Sequence, residues 1–251
     1  MRFERSTDSH QHSLETLNQL FEHDDFMYSI RTVVDLGCGN GDDLKWWATR
    51  TTRDDNPTPL DIECTGIDLA DQLLLSKQHK NVSYQQCDFE SSITAPENGF
   101  DILWCHDAFQ YVMSPVQTLS RWWNMASPGG MLYICVPITQ RIHRRQLDYY
   151  LPSGSYYHYS MVNLMYMLAT AGWDCQNGFF KQAPTDPWVH AIVYKSDQEP
   201  LDPKTTSWYQ LAELNLLPKT AEASIQAHGY LEQQDLVVPW VDHSLMSMAT
   251  R

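Results

Sequence analysis

The chain has 251 residues, 43% of them hydrophobic, enough to bury a full core in one sizeable domain with an appendage. Its 17 Lys and Arg against 31 Asp and Glu leave a net charge of −14, which opposes the polyanionic backbones of DNA and RNA and anionic membrane surfaces. Its six cysteines form no Cys-x-x-Cys pair, so neither a metal site nor a redox motif is expected.

Residues Met1 to Arg5 lack the apolar run of a signal peptide, and no apolar run approaches the ~20 residues of a transmembrane helix. Cys64, Cys87, Cys105 and Cys135 sit in or beside apolar strand-like runs, where free cysteine acts as a small hydrophobe. That pattern fits a reducing cytoplasm. The acidic field points to a small molecule or a protein as partner. Arg141, His143, Arg144 and Arg145 form the one local basic cluster.

Over residues 9–28, Leu14, Leu17, Leu20, Phe21 and Phe26 recur at helical spacing, with Gln11, His12, Glu15 and Asn18 on the other face. This predicts an N-terminal helical cap over residues 1–30, packed on the domain or over the loop that follows. Thr32-Val33-Val34-Asp35-Leu36-Gly37-Cys38-Gly39-Asn40-Gly41-Asp42-Asp43 then reads as strand, glycine turn and helix. Glycines let a ligand approach the main chain, and the free N–H groups of a helix start attract polar groups. A dinucleotide site has Gly-x-Gly-x-x-Gly. Here the spacing is Gly-x-Gly-x-Gly, and Asp35 would repel a pyrophosphate but suit an ammonium group.

A helix follows to about Thr51, then a polar loop over residues 53–59. Ile62 to Leu69 is a second strand ending on Asp68, placed to accept ribose hydroxyls or to cap a helix over Asp71–Lys77. The ribose role is preferred. Asn81 to Glu90 is a third strand that closes on Asp88. Phe100 to Val112 is a fourth strand and its exit, with His106 and Asp107 at the end. Histidine suits proton removal near neutral pH, but the reading preferred for His106 is that it shapes the pocket. Pro115 to Met125 is helical, Ser127-Pro128-Gly129-Gly130 is a sharp turn, and Met131 to Pro137 is a fifth strand.

These features, in this order from Arg31 to Pro137, resemble the motifs of the class I S-adenosylmethionine-dependent methyltransferases. The resemblance implies a doubly wound α/β fold with a seven-stranded, mostly parallel Rossmann-like sheet. It implies S-adenosylmethionine as cofactor and S-adenosylhomocysteine as product. Asp35, Gly37, Cys38, Gly39, Asn40 and Gly41 would hold the methionine part. Asp68 and Leu69 would meet the ribose, Asp88 and Phe89 the adenine, and His106 the region of the methyl group.

Residues 138–159 turn from basic to aromatic, with Tyr149, Tyr150, Tyr156, Tyr157 and Tyr159. In this family the loop after the fifth strand contacts substrate, and an aromatic cage holds a cationic amine. Asp107, Tyr111, Tyr156 and Tyr157 are therefore the expected acceptor contacts, with His106 and Tyr157 the candidates for catalysis. Ser160 to Ala171 is a helix capped by Gly172, and Trp173–Phe180 with Trp188–Lys195 is an antiparallel pair that completes the sheet. The methyltransferase domain is thus expected over residues 31–195. Residues 196–251 are expected to form a linker and a helical extension that packs back, covers the pocket or makes a homodimer contact.

The expected function is methyl transfer to nitrogen or oxygen of a small molecule, without nucleic-acid or membrane partners. A protein acceptor, or a cofactor-binding module without turnover, are the alternatives.

Overall fold

Strands that are apolar along their whole length, without alternation, call for a sheet covered on both faces. In the computed structural model, which describes residues 7–21, 25–69, 79–91, 93–137, 157, 159–181 and 188–229, such runs form the centre. Val33, Val34 and Leu36 of β1 (Thr32–Leu36) are fully buried, as are Ile102 to His106 of β4 (Phe100–His106) and Leu132 to Val136 of β5 (Ala126–Pro137). β3 (Val82–Gln86) is half-exposed, as suits an edge. With β2 (Glu63–Asp68), β6 (Trp173–Lys181) and β7 (Trp188–Lys195) the described residues make a seven-stranded sheet of order β3-β2-β1-β4-β5-β7-β6. β3, β2, β1, β4 and β5 run parallel, and β7 is antiparallel to both β5 and β6.

The strand order reverses between β1 and β4, and a crevice for ligand opens at the carboxyl ends there. One face of the sheet carries Val34, Leu36, Leu103 and Leu132 against α3 (Pro115–Met125) and α4 (Met161–Thr170). The other carries Val33, Ile102, Trp104 and Tyr133 against α1 (Thr7–Phe21) and α2 (Asp42–Ala48). α1 docks through Ser13, Thr16, Leu17 and Phe21, all buried.

Several boundaries differ from those read in the sequence. α1 stops at Phe21, and a 3-10 turn over Asp25–Ser29 brings buried Met27 and Ile30 to the start of β1. α2 ends at Ala48, and Thr51 instead bridges to Pro59. β3 ends at Gln86, before Asp88, because the Asp88 carboxylate accepts the N–H of Glu90 at 2.8 Å and turns the chain. Residues Ser127 to Gly130 turn sharply, as expected, but within the opening of β5: Gly129 has φ +74°, and the register against β4 slips between Phe100 and Ile102. Gly130 is needed there, since a Cβ would lie 2.8 Å from the Phe100 carbonyl. The helix expected over Asp71–Lys77 and most of the loop 138–159 lie outside the described residues.

Beyond β7, the extension packs back onto the domain. Leu211 of α5 (Trp208–Glu213), Leu217, and Ala221 of α6 (Lys219–His228) are fully buried in the α3–α4 side of the core. Ser207 caps α5 with a reciprocal bond to Gln210, and the Tyr166 hydroxyl of α4 donates to the Thr206 carbonyl. Among the described residues no helix is long and apolar enough to cross a membrane.

Burial also sets how the core responds to alkali. The Cys64 thiol is pushed up to about 12 by desolvation first and the Asp35 charge second. Burial raises the Cys175 thiol and the phenols of Tyr84, Tyr133 and Tyr159 as well. The folded chain keeps these protons where the unfolded chain releases them, so stability is whole below the ordinary thiol value of 9.0 and falls as pH rises above it. Urea unfolding on either side of pH 9 should show this loss; a midpoint unchanged by alkali would mean that water reaches these groups.

Candidate active site

The loop leaving β1 is shaped by what sits against it. Gly37 has φ +83°, and a Cβ there would lie 2.4 Å from the Cβ of Ala108, in the exit from β4. Only glycine satisfies both the left-handed backbone and the contact. Gly39 has φ +53° and nothing within 4 Å of a built Cβ, so its open side leaves room for a ligand to approach the main chain. The N–H groups of Gly37 and Cys38 donate to the Ile67 carbonyl at 2.8 and 3.1 Å, which ties the loop to β2. The Cys38 side chain is buried in the core, so only its backbone borders the loop, while Asn40 is exposed.

Two carboxylates border this loop, and a third stands after β3. Asp35, fully buried, lies level with Gly66 of β2 and Trp104 of β4. Asp68, at the end of β2, accepts the N–H of Gly39 at 2.9 Å, so it faces the glycine loop. Leu69 beside it is 67% exposed, an apolar surface at the crevice edge. Asp88 closes the turn after β3 and lines a 510 Å³ cleft with Glu90, Ser91, Met113, Ser114 and Arg121. Phe89 is held twice by Trp122: its ring meets the indole edge-on at 6.1 Å, and its carbonyl accepts the indole N–H at 3.0 Å. Glycine main chain, acids and an exposed apolar edge suit a ligand with a cationic head, sugar hydroxyls and a flat ring.

Glu90 was not anticipated. Its carboxylate accepts the N–H groups of Met113 and Ser114 at 2.6 and 3.1 Å and the Thr118 hydroxyl at 3.3 Å. It therefore satisfies donors at the start of α3 that would otherwise lack partners.

At the end of β4, His106 is fully buried, and its Nε2 is 2.9 Å from Nδ1 of His12 on α1. The expectation that His12 lies on the solvent face of its helix is corrected: it is half-buried and stacked on Trp188 at 5.5 Å. Asn18 is exposed, as expected, and its side-chain oxygen also accepts the Trp46 indole N–H at 2.8 Å. Gln11 and Glu15 do face solvent, joined to each other at 2.8 Å. Beneath α1, the buried Asp43 carboxylate accepts the Ser13 hydroxyl at 2.6 Å and the Trp104 indole N–H at 3.0 Å.

Asp107 follows His106 in a left-handed conformation, φ +55°, which is uncommon outside glycine. Its N–H donates to the Cys135 carbonyl at 2.9 Å, and its carboxylate accepts Nε2 of Gln110 at 2.7 Å. Tyr111 ends the short 3-10 turn Phe109–Tyr111 and is half-buried. Tyr157 joins this group: its N–H donates to the Gln110 carbonyl at 3.3 Å and its hydroxyl to the Met113 carbonyl at 3.1 Å. That hydroxyl is engaged with main chain, and the residue is 37% exposed. Tyr156 lies outside the described residues. Asp107, Tyr111 and Tyr157 thus share one rim, with His106 below it in the sheet.

Residues 29–174 match the family described as "Methyltransferase domain". The ubiquinone biosynthesis O-methyltransferase of Albidiferax ferrireducens is 27% identical over 108 residues, 40% of this chain and 39% of that protein. The trans-aconitate 2-methyltransferase of Deinococcus radiodurans is 30% identical over 105 residues, 42% of this chain and 37% of that protein. The chain thus spans well under half the length of these relatives. Among solved structures, the Haemonchus contortus phosphoethanolamine N-methyltransferase 2 in complex with S-adenosyl-L-methionine shares the fold. Its TM-score is 0.57 at 14% identity, over 74% of this chain and 53% of that one. The chain belongs to the methyltransferase-domain family, of the class I S-adenosylmethionine-dependent type.

Gly37→Ala should cost about 1–3 kcal/mol of stability, from the left-handed strain and the contact with Ala108. Urea unfolding measures it, and a variant as stable as the parent would mean that the exit from β4 yields freely.

Proposed function

We propose that this chain transfers the methyl group of S-adenosylmethionine to a nitrogen or oxygen atom of a small-molecule acceptor. The observation that carries the reading is the meeting of Asp35, the glycine loop and Asp68 at the point where the strand order reverses, with the Gly39 N–H held by Asp68. When bound, the cofactor supplies a methyl group already activated by its sulfonium. The chain's own residues then need only bind and align. The main chain of residues 37–41 and the Asp35 carboxylate hold the amino-acid end. Asp68 takes the ribose hydroxyls beside exposed Leu69. Asp88 and the backbone of Phe89 take the adenine, next to the 510 Å³ cleft.

On the acceptor side, Asp107, Tyr111 and Tyr157 form the rim, with Tyr156 of the adjoining segment proposed beside them. Most of the rate comes from holding acceptor and methyl in line, since orientation alone is worth several kcal/mol. We assign His106 as a positioning residue, because His12 covers its Nε2 and the tyrosine-rich loop suits an amine that is nucleophilic without a base. The two relatives are named for ubiquinone biosynthesis and for trans-aconitate, which supports the class and leaves the compound to experiment. The net charge of −14 supports the absence of nucleic-acid partners, and cysteines that are thiols rather than disulfides support a cytoplasmic setting.

Asp68→Ala should weaken S-adenosylmethionine binding by roughly 1–3 kcal/mol, the cost of stranding buried polar partners. Calorimetry that finds an unchanged affinity would refute the ribose assignment. A metabolite-extract screen with labelled cofactor identifies the acceptor, and labelling of no compound would turn the proposal toward binding without turnover.

Single-turnover rates then test His106. His106→Gln and His106→Asn should keep most of the rate, and His106→Ala should lose more. Removal of a true general base would cost about 10²–10⁴-fold in all three variants, and that result would overturn the positioning role.

A further inference from the structure

One more set of chemistry-bearing side chains comes together among the described residues, away from the glycine loop. His106 of β4 is level with Cys135 of β5, and Cys135 with His190 of β7, so the three occupy one cross-strand row. Trp104, Tyr133 and Ile192 form the next row on the same face. α1 lays His12 across the first row: its ring centroid is 5.2 Å from that of His106 and 5.1 Å from that of His190. The ligating atoms of His12, His106 and Cys135 all lie within 4.8 Å of one another.

We propose that His12, His106 and Cys135 bind a transition-metal ion of the zinc class, with one coordination position left for a further donor. Two imidazoles and a thiolate are borderline-soft ligands, which select zinc and its neighbours over magnesium or calcium. Three protein ligands and an open fourth position describe a reactive metal site; a purely structural site is closed by four. A tetrahedral ion at Zn–N of about 2.0–2.1 Å needs the two nitrogens roughly 3.3 Å apart. They stand 2.9 Å apart, so the rings need to part by only a few tenths of an ångström.

The surroundings already hold the ligands in place, as outer contacts do in metal sites. The Tyr133 hydroxyl is hydrogen-bonded with the Cys135 thiol and lies 3.2 Å from Nδ1 of His190. Trp104 stacks on Tyr133 at 3.8 Å, and Trp188 stacks on His12 with 17° between the rings. His106 and Cys135 are fully buried, and half-buried His12 stands over them on the outer side. The cysteine spacing that argued against a metal site says nothing here, because the three ligands come from a helix and two strands far apart in sequence. The inference is independent of methyl transfer, since metal uptake is read without cofactor or acceptor.

The test uses the untagged full chain, stripped with a chelator and titrated with Zn²⁺ and with Co²⁺. Elemental analysis should find one ion per chain. The cobalt form should show the absorption of a tetrahedral ion together with a thiolate-to-metal charge-transfer band. Cys135→Ser should abolish that band. His12→Gln, which keeps a hydrogen-bonding amide beside His106, should weaken binding at least 10-fold, and the thermal midpoint of the metal-free variant, measured alongside, tells a lost ligand from a lost fold. Uptake below one ion per chain would overturn the proposal, as would uptake that neither substitution weakens. Were Cys135→Ser to misfold, His12→Gln would decide alone: equal affinity in the parent and this variant refutes the site, and the His12–His106 contact is then a plain hydrogen bond.

Discussion

The contact between Gly37 and Ala108 sets the geometry on which the site depends. The segments leaving β1 and β4 start side by side at the reversal of strand order, and here they close to within the space of one missing methyl group. Because the first loop is pressed against the exit from β4, bonded to Ile67 of β2 and closed on itself from the Gly41 N–H to the Cys38 carbonyl, its main chain is held in one shape. Asp68 takes the Gly39 N–H from it. Asp68 after β2 and the exit from β4 are thereby tied to the same loop, which could not meet both if it stood away from the sheet.

Buried polar groups bind the outer helix to this frame. Asp43 belongs by sequence to the first turn of α2, where an acid favours the positive helix end. Its carboxylate also takes the Ser13 hydroxyl and the Trp104 indole, so a single buried acid links α1, α2 and β4. Both bonds fall on an acceptor shielded from water, where breaking them leaves buried donors stranded and is costly. This directional link, added to the apolar stripe of Leu17 and Phe21, fixes how α1 is rotated about its axis.

The glycine loop, the strand-ending acids and the antiparallel closing pair were legible in the sequence, since each rests on local signals: turn residues, apolar runs and their spacing. The roles of His12 and Asn18 were not. Periodicity tells which side of a helix is apolar, but His12 flanks the apolar stripe, and only the packed sheet decides whether a flanking residue meets water or His106. Asp88 was placed one element too early, because an acid that ends a strand and one that turns the chain after it look alike in sequence. The opening of β5 was missed for a related reason. Pro128, Gly129 and Gly130 are turn formers, yet the pairing of Ala126 with Phe100 extends the strand through them. Cys135 and His190 fell in ordinary apolar strands, and their shared row exists only once β7 is inserted beside β5.

That insertion governs the order in which the molecule can be built. α1 leaves the ribosome before the strands it rests on, and besides α2 the surface it covers includes β4, β5 and β7, so that His12 meets a residue 94 positions further along. Strands closing over such distances form slowly, since chain entropy is lost before the contact rewards it. Until they have paired, α1 has only α2 to rest on, through Phe21 and Trp47, and part of its apolar side stays exposed to other chains. The helix is made before most of the surface that holds it.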